Sequence, residues 1–257
     1  MQSLGHFPIA GLEGFTLKYF KEVLTDRTFL DSLTFSLYTS LVSSLISSVM
    51  GVILAFSIFR LHRGKKTAEF LYRIPIIVPH LVSVLLVYNI LSRTGFLPRV
   101  LAVLGFIENP ADFPFLLYSP NGLGIIIAYL WKEIPFVALS TYTVLSRMSS
   151  RLTDAARNLG ATGLQTFRHV TLPLILPSVF SSFIIIFAFS FGAYEVPLLL
   201  GPTSPATLPV KAFLEYSNPM LMNRPYAMAI NIVIMVIALF LTWLYFKAFA
   251  KVNRYEK

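Results

Sequence analysis

The sequence predicts an all-α integral membrane protein with about five transmembrane helices, and three observations carry that prediction. Of the 257 residues 56% are apolar and only 13% charged, with a mean hydropathy of +0.71, more apolar surface than a water-soluble domain of this length tolerates. The apolar residues fall into long runs, expected as spans at about 33–59, 70–91, 123–145, 174–200 and 226–249, each long enough to cross a hydrocarbon core as a helix. Lysine and arginine gather between the runs: thirteen of the 21 lie in three segments on one side of the predicted topology, seven on the other, and Lys132 sits inside a span. That bias marks the three segments as cytoplasmic and leaves the N-terminus outside and the C-terminus inside.

The same composition excludes several classes of function. Cysteine is absent, and His6, His62, His80 and His169 are scattered without ligand spacing, so no metal centre is expected. The net charge of +9 belongs to membrane topology rather than to nucleic-acid binding. An intramembrane enzyme would need a nucleophile with its base, or clustered acids, at one depth, and the spans offer only His80 and no clustered Asp. Nor is there a phosphate-binding Gly-x-x-x-x-Gly-Lys-Ser/Thr loop, since the nearest fragment, Gly64-Lys65, has Phe59 in place of the first glycine. Residues 1–31 hold no apolar run long enough for a cleaved signal peptide.

In chain order, residues 1–31 form a surface segment in which Leu17, Phe20 and Leu24 suggest a short amphipathic helix. In the first span Ser36, Ser40, Ser43, Ser47 and Gly51 recur at steps of three or four, a small-residue stripe that favours close helix packing over a polar pore lining. Arg60, His62, Arg63, Lys65, Lys66 and Arg73 follow as a cytoplasmic cluster. The second span contains Pro75 and Pro79, which predict kinks. Residues 93–121 are Pro- and aromatic-rich, as suits an outside loop. The third span carries Lys132 and Glu133 near its middle, where charge is expensive and faces protein or water, which makes both candidates for a translocation path. In the fourth, Gly192 and Pro197 loosen the helix around Tyr194 and Glu195, which makes that pair a candidate lining of a translocation path; a salt bridge between Glu195 and Lys132 is the structural alternative. A Pro-rich outside loop runs to Pro225, and the last span ends among Lys247, Lys251, Arg254 and Lys257, with 250–257 as a cytoplasmic tail.

One polar stretch interrupts this pattern, the loop 147–173. Thr153 is placed to cap a helix starting at Asp154, whose charge suits a helix N-terminus, and Ala155 and Ala156 continue it. Gly160 supplies a stop. Thr162 and Gln165 then have capping-box spacing, and Leu164, Phe167 and Val170 recur every three residues until Leu172-Pro173 breaks the pattern. The expected shape is two short helices at an elbow.

Asp154-Ala155-Ala156, Gly160 and Val170-Thr171-Leu172-Pro173 resemble, in identity and spacing, the EAA signature of binding-protein-dependent ATP-binding-cassette (ABC) importer permeases, with Asp for the usual Glu and Val for the usual Ile. The resemblance implies a type I importer permease. In that family this loop is the coupling element, inserted into a groove on a separate ATPase; Asp154, Ala155, Ala156, Leu159, Gly160, Leu164, Phe167, Leu172 and Pro173 occupy the matching positions. It further implies a transport subunit that is not itself an enzyme, two ATPase subunits that hold ATP and magnesium, a second permease that is the same chain or a homologue, and an extracytoplasmic binding protein, all at the cytoplasmic membrane. No cofactor is expected on this chain itself, and lipid surrounds it. Residues 191–201, Leu208-Pro209-Val210 and 224–229 are similar to the branch that imports polyamines, iron(III), sulfate and related small solutes. A secondary transporter, or a membrane scaffold without ATPase coupling, is the competing reading.

Overall fold

The computed structural model describes residues 1–61, 63–148 and 150–253; His62, Arg254 and Lys257, expected in the cytoplasmic clusters, lie outside the described residues. The named elements are helices: α1 Lys18–Thr25, α2 Arg27–Arg60, α3 Lys65–Ile77, α4 His80–Leu91, α5 Phe96–Val103, α6 Leu123–Arg147, α7 Ser150–Asn158, α8 Gly163–Thr166, α9 Leu172–Gly192, α10 Glu195–Leu200, α11 Leu208–Tyr216 and α12 Arg224–Asn253, with a π-helical turn at Phe167–Thr171 and short 3-10 turns. Among the described residues five stretches are long and apolar enough to cross a membrane: Arg27–Arg60, His80–Val103, Leu123–Arg147, Gly163–Gly192 and Leu221–Trp243. The protein is therefore a multi-pass membrane protein. Two compact units divide the chain, one made of Met1–Leu41, His80–Ala128 and the residues from Ala188 onward, the other of Val42–Pro79 and Tyr129–Phe187.

In the first unit the core is formed by Val23, Phe29, Phe191, Leu208, Ala212, Ala229 and Ile230. Helix α1 docks on it through Tyr19, Phe20 and Val23, whereas Leu17 and Leu24, expected on its apolar face, are 69% and 56% exposed. Packing against α12 selects a face one step round from the one that the Leu-Phe-Leu spacing suggests. The next surprise is where α2 starts. Asp26 caps it, accepting from the Thr28 backbone N–H at 2.9 Å, so the helix takes in residues 27–32 ahead of the expected start of the first span. The same carboxylate accepts from Lys211 Nζ at 2.6 Å, Tyr226 Oη at 2.7 Å and the Thr28 hydroxyl at 2.8 Å, tying α2 to α11 and α12.

The serine stripe is a packing device in both units. Ser36, Ser40, Ser43 and Ser47 are all buried. Ser36 donates to its own helix at Ser32 O and accepts the backbone N–H of Leu208 at 2.8 Å, which satisfies an orphan donor at the start of α11. In the second unit a Cβ placed on Gly51 would stand 2.6 Å from Val137 Cβ, so only glycine lets α2 and α6 approach this closely there.

The second unit is built on Ala55, Ile58, Tyr72, Ala138, Tyr142, Leu145 and Ile175. Over 70–91, where the sequence suggests one kinked span, the chain instead forms α3 and α4. Val78 precedes a proline and is extended (φ −65°, ψ 128°), which ends α3 outright, while Pro75 is absorbed within it. Over 174–200 the expected span is likewise divided, α9 ending at Gly192 and α10 beginning at Glu195.

Burial opposes ionisation of Asp26, yet the hydrogen bonds from Lys211, Tyr226 and Thr28 together outweigh it and hold the carboxyl well below its usual range. Its contribution to stability is complete above the ordinary carboxylate value of 3.8 and is lost as pH falls below it. Asp26→Ala, which removes the cap and these bonds, should destabilise the detergent-solubilised protein by about 2 kcal/mol, read as a lower thermal midpoint. Asp26→Asn should flatten the acid loss of stability in that pH window; an unchanged acid profile would show that the cluster is not coupled to folding.

Candidate coupling and translocation sites

The coupling stretch lies in the second unit. Helix α7 begins at Ser150, a turn before the expected start, so Thr153 lies inside it rather than capping it. A helix confined to 154–158 would carry the cost of nucleation for very few hydrogen bonds, and the added turn relieves that. The stop at Gly160 has the expected form. Gly160 is left-handed (φ 85°), its N–H bonds Arg157 O at 2.9 Å, and Ala161 N–H bonds Ala156 O at 3.0 Å, the paired bonds of a Schellman cap. Thr162 and Gln165 then form the capping box in both directions, Thr162 N–H to Gln165 Oε1 at 2.8 Å and Gln165 N–H to Thr162 Oγ1 at 3.3 Å.

Beyond the elbow the structure departs from the expectation. Leu172-Pro173 does not end a short helix: Gly163–Gly192 is helical throughout, with the π turn at Phe167–Thr171 taking up the change. Pro173 follows directly on the turn in which the hydrogen-bond step widens, and that wider turn accommodates its missing N–H within the continuous helix. The anticipated stripe is divided too. Phe167 turns inward and meets Phe56 edge to face at a centroid distance of 5.0 Å, while Leu164 is 77% exposed. Across the elbow Leu159 is 89% exposed, Asp154 and Ala155 are exposed and Ala156 is half-buried. Two large apolar side chains therefore flank a rigid, doubly capped turn.

The candidate path residues divide between the units. Tyr194 and Glu195 lie in the first, at the break between α9 and α10. Glu195, half-buried, opens α10, where the helix dipole favours its charge; Tyr194 stacks on Phe213 at 5.2 Å. Tyr194, Phe213, Tyr216, Met228 and Asn231 line a cavity of about 310 Å³. Sequence reasoning missed Phe213 and Tyr216, treating 202–225 as an outside loop; the signal for α11 was Thr207-Leu208-Pro209, a proline at the start of a helix followed by aromatics three residues apart. Lys132 and Glu133 lie in the second unit and point different ways. The Lys132 ammonium donates to Val78 O, the carbonyl freed at the end of α3. Glu133, 4% exposed, accepts from Ser47 Oγ at 2.9 Å. Lys132 is thus engaged within its own unit as a helix-end cap.

Comparison with known proteins agrees with this architecture. The family described as "Binding-protein-dependent transport system inner membrane component" matches residues 47–253. The chain is 24% identical over 241 residues, 93% of its length and 85% of the relative's, to the spermidine/putrescine transport system permease protein PotB of Escherichia coli (strain K12). It is 25% identical over 232 residues, 90% of its length and 76% of the relative's, to the sulfate transport system permease protein CysT of Synechocystis sp.. Among solved structures, a bacterial ABC transporter involved in the import of the acidic polysaccharide alginate superimposes with a TM-score of 0.81 at 20% identity, covering 97% of this chain and 87% of that one. The family match runs from the serine stripe through the elbow to the end of α12, and the chain belongs to the binding-protein-dependent transport system inner membrane components, with the all-α fold of type I ABC importer permeases.

Proposed function

We propose that this chain is the permease subunit of an ATP-driven importer, docked through its α7–Gly160–α8 elbow to a separate ATPase that binds and hydrolyses ATP with magnesium. The observation that carries the reading is the pair of exposed leucines, Leu159 and Leu164, held on either side of a capped turn. Exposed leucines in a polar loop cost free energy unless covered, and a preorganised apolar projection is the form a groove-filling anchor takes. Two ATPases beneath two permeases, this chain paired with itself or a homologue, would place the translocation path between the permeases. An extracytoplasmic binding protein would deliver the solute.

The relatives' names favour a small solute, a polyamine or sulfate, and the sequence resemblance adds iron(III) to that class. Tyr194 and Glu195 at the α9–α10 break are the residues we assign to the path, with Glu133 as a buried supporting carboxylate and Lys132 holding the end of α3. The elbow faces the cytoplasm of the inner membrane, the N-terminus lies outside and the C-terminus inside.

Co-purification from the native membrane in mild detergent tests the assembly: an ABC ATPase should be retained by the wild-type chain. Gly160→Val places a β-branched residue at φ 85°, at a local cost of about 1–2 kcal/mol, and should lower both ATPase retention and uptake; Gly160→Asn, tolerant of that conformation, should keep both. Equal retention by all three would break the coupling assignment. Glu195→Gln should lower uptake while leaving the bound ATPase unchanged, and wild-type uptake in that variant would remove Glu195 from the path.

A further inference from the structure

Beside the elbow, the second unit holds a cavity of about 160 Å³ that the transport reading leaves unused. Its wall is of two kinds. Arg60, in the last turn of α2, and Arg157, in the last turn of α7, both line it, and the hydroxyl-bearing Thr166 and Thr171 lie buried at the ends of the α8 and π turns. Arg60 is held in place by stacking: its guanidinium carbon lies 4.2 Å from the centroid of Phe56, which is itself braced by Phe167. Neither arginine has a carboxylate partner among the described residues, where the ion pairs are those of Lys18, Arg73 and Lys211. Two arginines without a carboxylate partner at one cavity carry like charges and fit a phosphate, whose oxygens accept the planar fork of N–H donors.

The second observation identifies what carries that phosphate. Val49, Ile53, Phe56 and Arg60 follow one another at steps of four, three and four, so they form a single stripe along α2. Val49 and Ile53 are 60% and 52% exposed, and the stripe belongs to a membrane-spanning helix. It is apolar for three positions and ends in a cation at the cavity mouth. This is the order of parts in an anionic lipid, hydrocarbon first and then phosphate.

We propose that this cavity binds the phosphate of an anionic phospholipid whose acyl chain lies along the Val49–Ile53–Phe56 stripe, bridging the end of α2 to α7. Because Arg60 and Arg157 come from different helices, a phosphate between them removes their repulsion and fixes α7 at the elbow, which makes the lipid a structural partner of the α7 turn. The proposal concerns the chain alone and stands whether or not an ATPase docks.

The test uses the full chain, purified in neutral detergent, stripped of lipid and mixed with equimolar phosphatidylglycerol and phosphatidylcholine of matched acyl chains, the retained lipid being quantified by mass spectrometry. Each guanidinium near an anionic surface contributes about fivefold, so phosphatidylglycerol should be preferred by roughly tenfold or more, and Arg60→Gln with Arg157→Gln should abolish the preference. Arg157→Gln alone, at an exposed position, should remove about half of it on a logarithmic scale and serves if the double variant does not fold. Glycerol 3-phosphate, added instead, separates the sources: no rise in thermal midpoint is expected at concentrations where phosphatidylglycerol gives one. A rise equal to that of the lipid would mean that the site takes a soluble phosphate, and an unchanged preference in the arginine variants would place lipid selectivity elsewhere; either result overturns the proposal.

Discussion

Inside a bilayer there is no water to accept or donate a hydrogen bond, so a backbone group released by a helix break must find its partner within the protein. This constraint organises the structure. Each interruption has its own remedy: the Lys132 ammonium on the Val78 carbonyl where Pro79 ends α3, the Ser36 hydroxyl on the Leu208 N–H where α11 begins, and the Tyr194 carbonyl receiving Leu198 N–H at 2.9 Å where α10 restarts after Gly192. Three serines of α2 fit the same rule, since Ser36, Ser40 and Ser48 return their protons to carbonyls four residues back and so remain buried without an unmet donor; the buried Ser44 hydroxyl is the exception. Lys132 illustrates the economy of this arrangement, because the charge that looked out of place in an apolar span is what allows the neighbouring helix to stop.

Much of this was legible in the sequence, for a physical reason that differs from element to element. The spans could be read because hydrophobic length is a property of a single segment. Gly160 and the Thr162–Gln165 box could be read because their partners lie within a few residues, and the bonds formed match the spacing. Asp26 could not, since its partners Lys211 and Tyr226 are 185 and 200 residues away and nothing local distinguishes it from any helix-capping aspartate. The start of α7 was placed too late because Thr153 was read as its cap, whereas the helix takes an added turn that spares it a short, costly nucleus. Two prolines were misjudged in opposite directions. Pro79 ends its helix by acting on Val78, whereas Pro173 is accommodated by the π turn directly before it.

Exposed apolar side chains occur here in two distinct settings. On α2 and α12 residues such as Val49, Ile53, Leu239 and Phe240 stand out from membrane-spanning helices, where hydrocarbon covers them at no cost. Leu159 stands out from a short polar segment flanked by arginines, and Leu164 from the first turn of the Gly163–Gly192 helix, at its polar end. The same degree of exposure therefore occurs in two surroundings, and the polarity of the neighbouring residues distinguishes them.

The π turn at Phe167–Thr171 has an effect that reaches along the whole of the following helix. Widening one turn by a residue shifts the phase of everything after it by about 100°, so the face that Leu164 and Phe167 would share with later residues in a regular helix is handed to a different set from Leu172 onward. A helical-wheel projection drawn continuously through 163–192 superimposes side chains that point apart. A gain or loss of one residue in this turn would rotate the faces of α9 by about 100° relative to α8, turning a different set of its side chains inward.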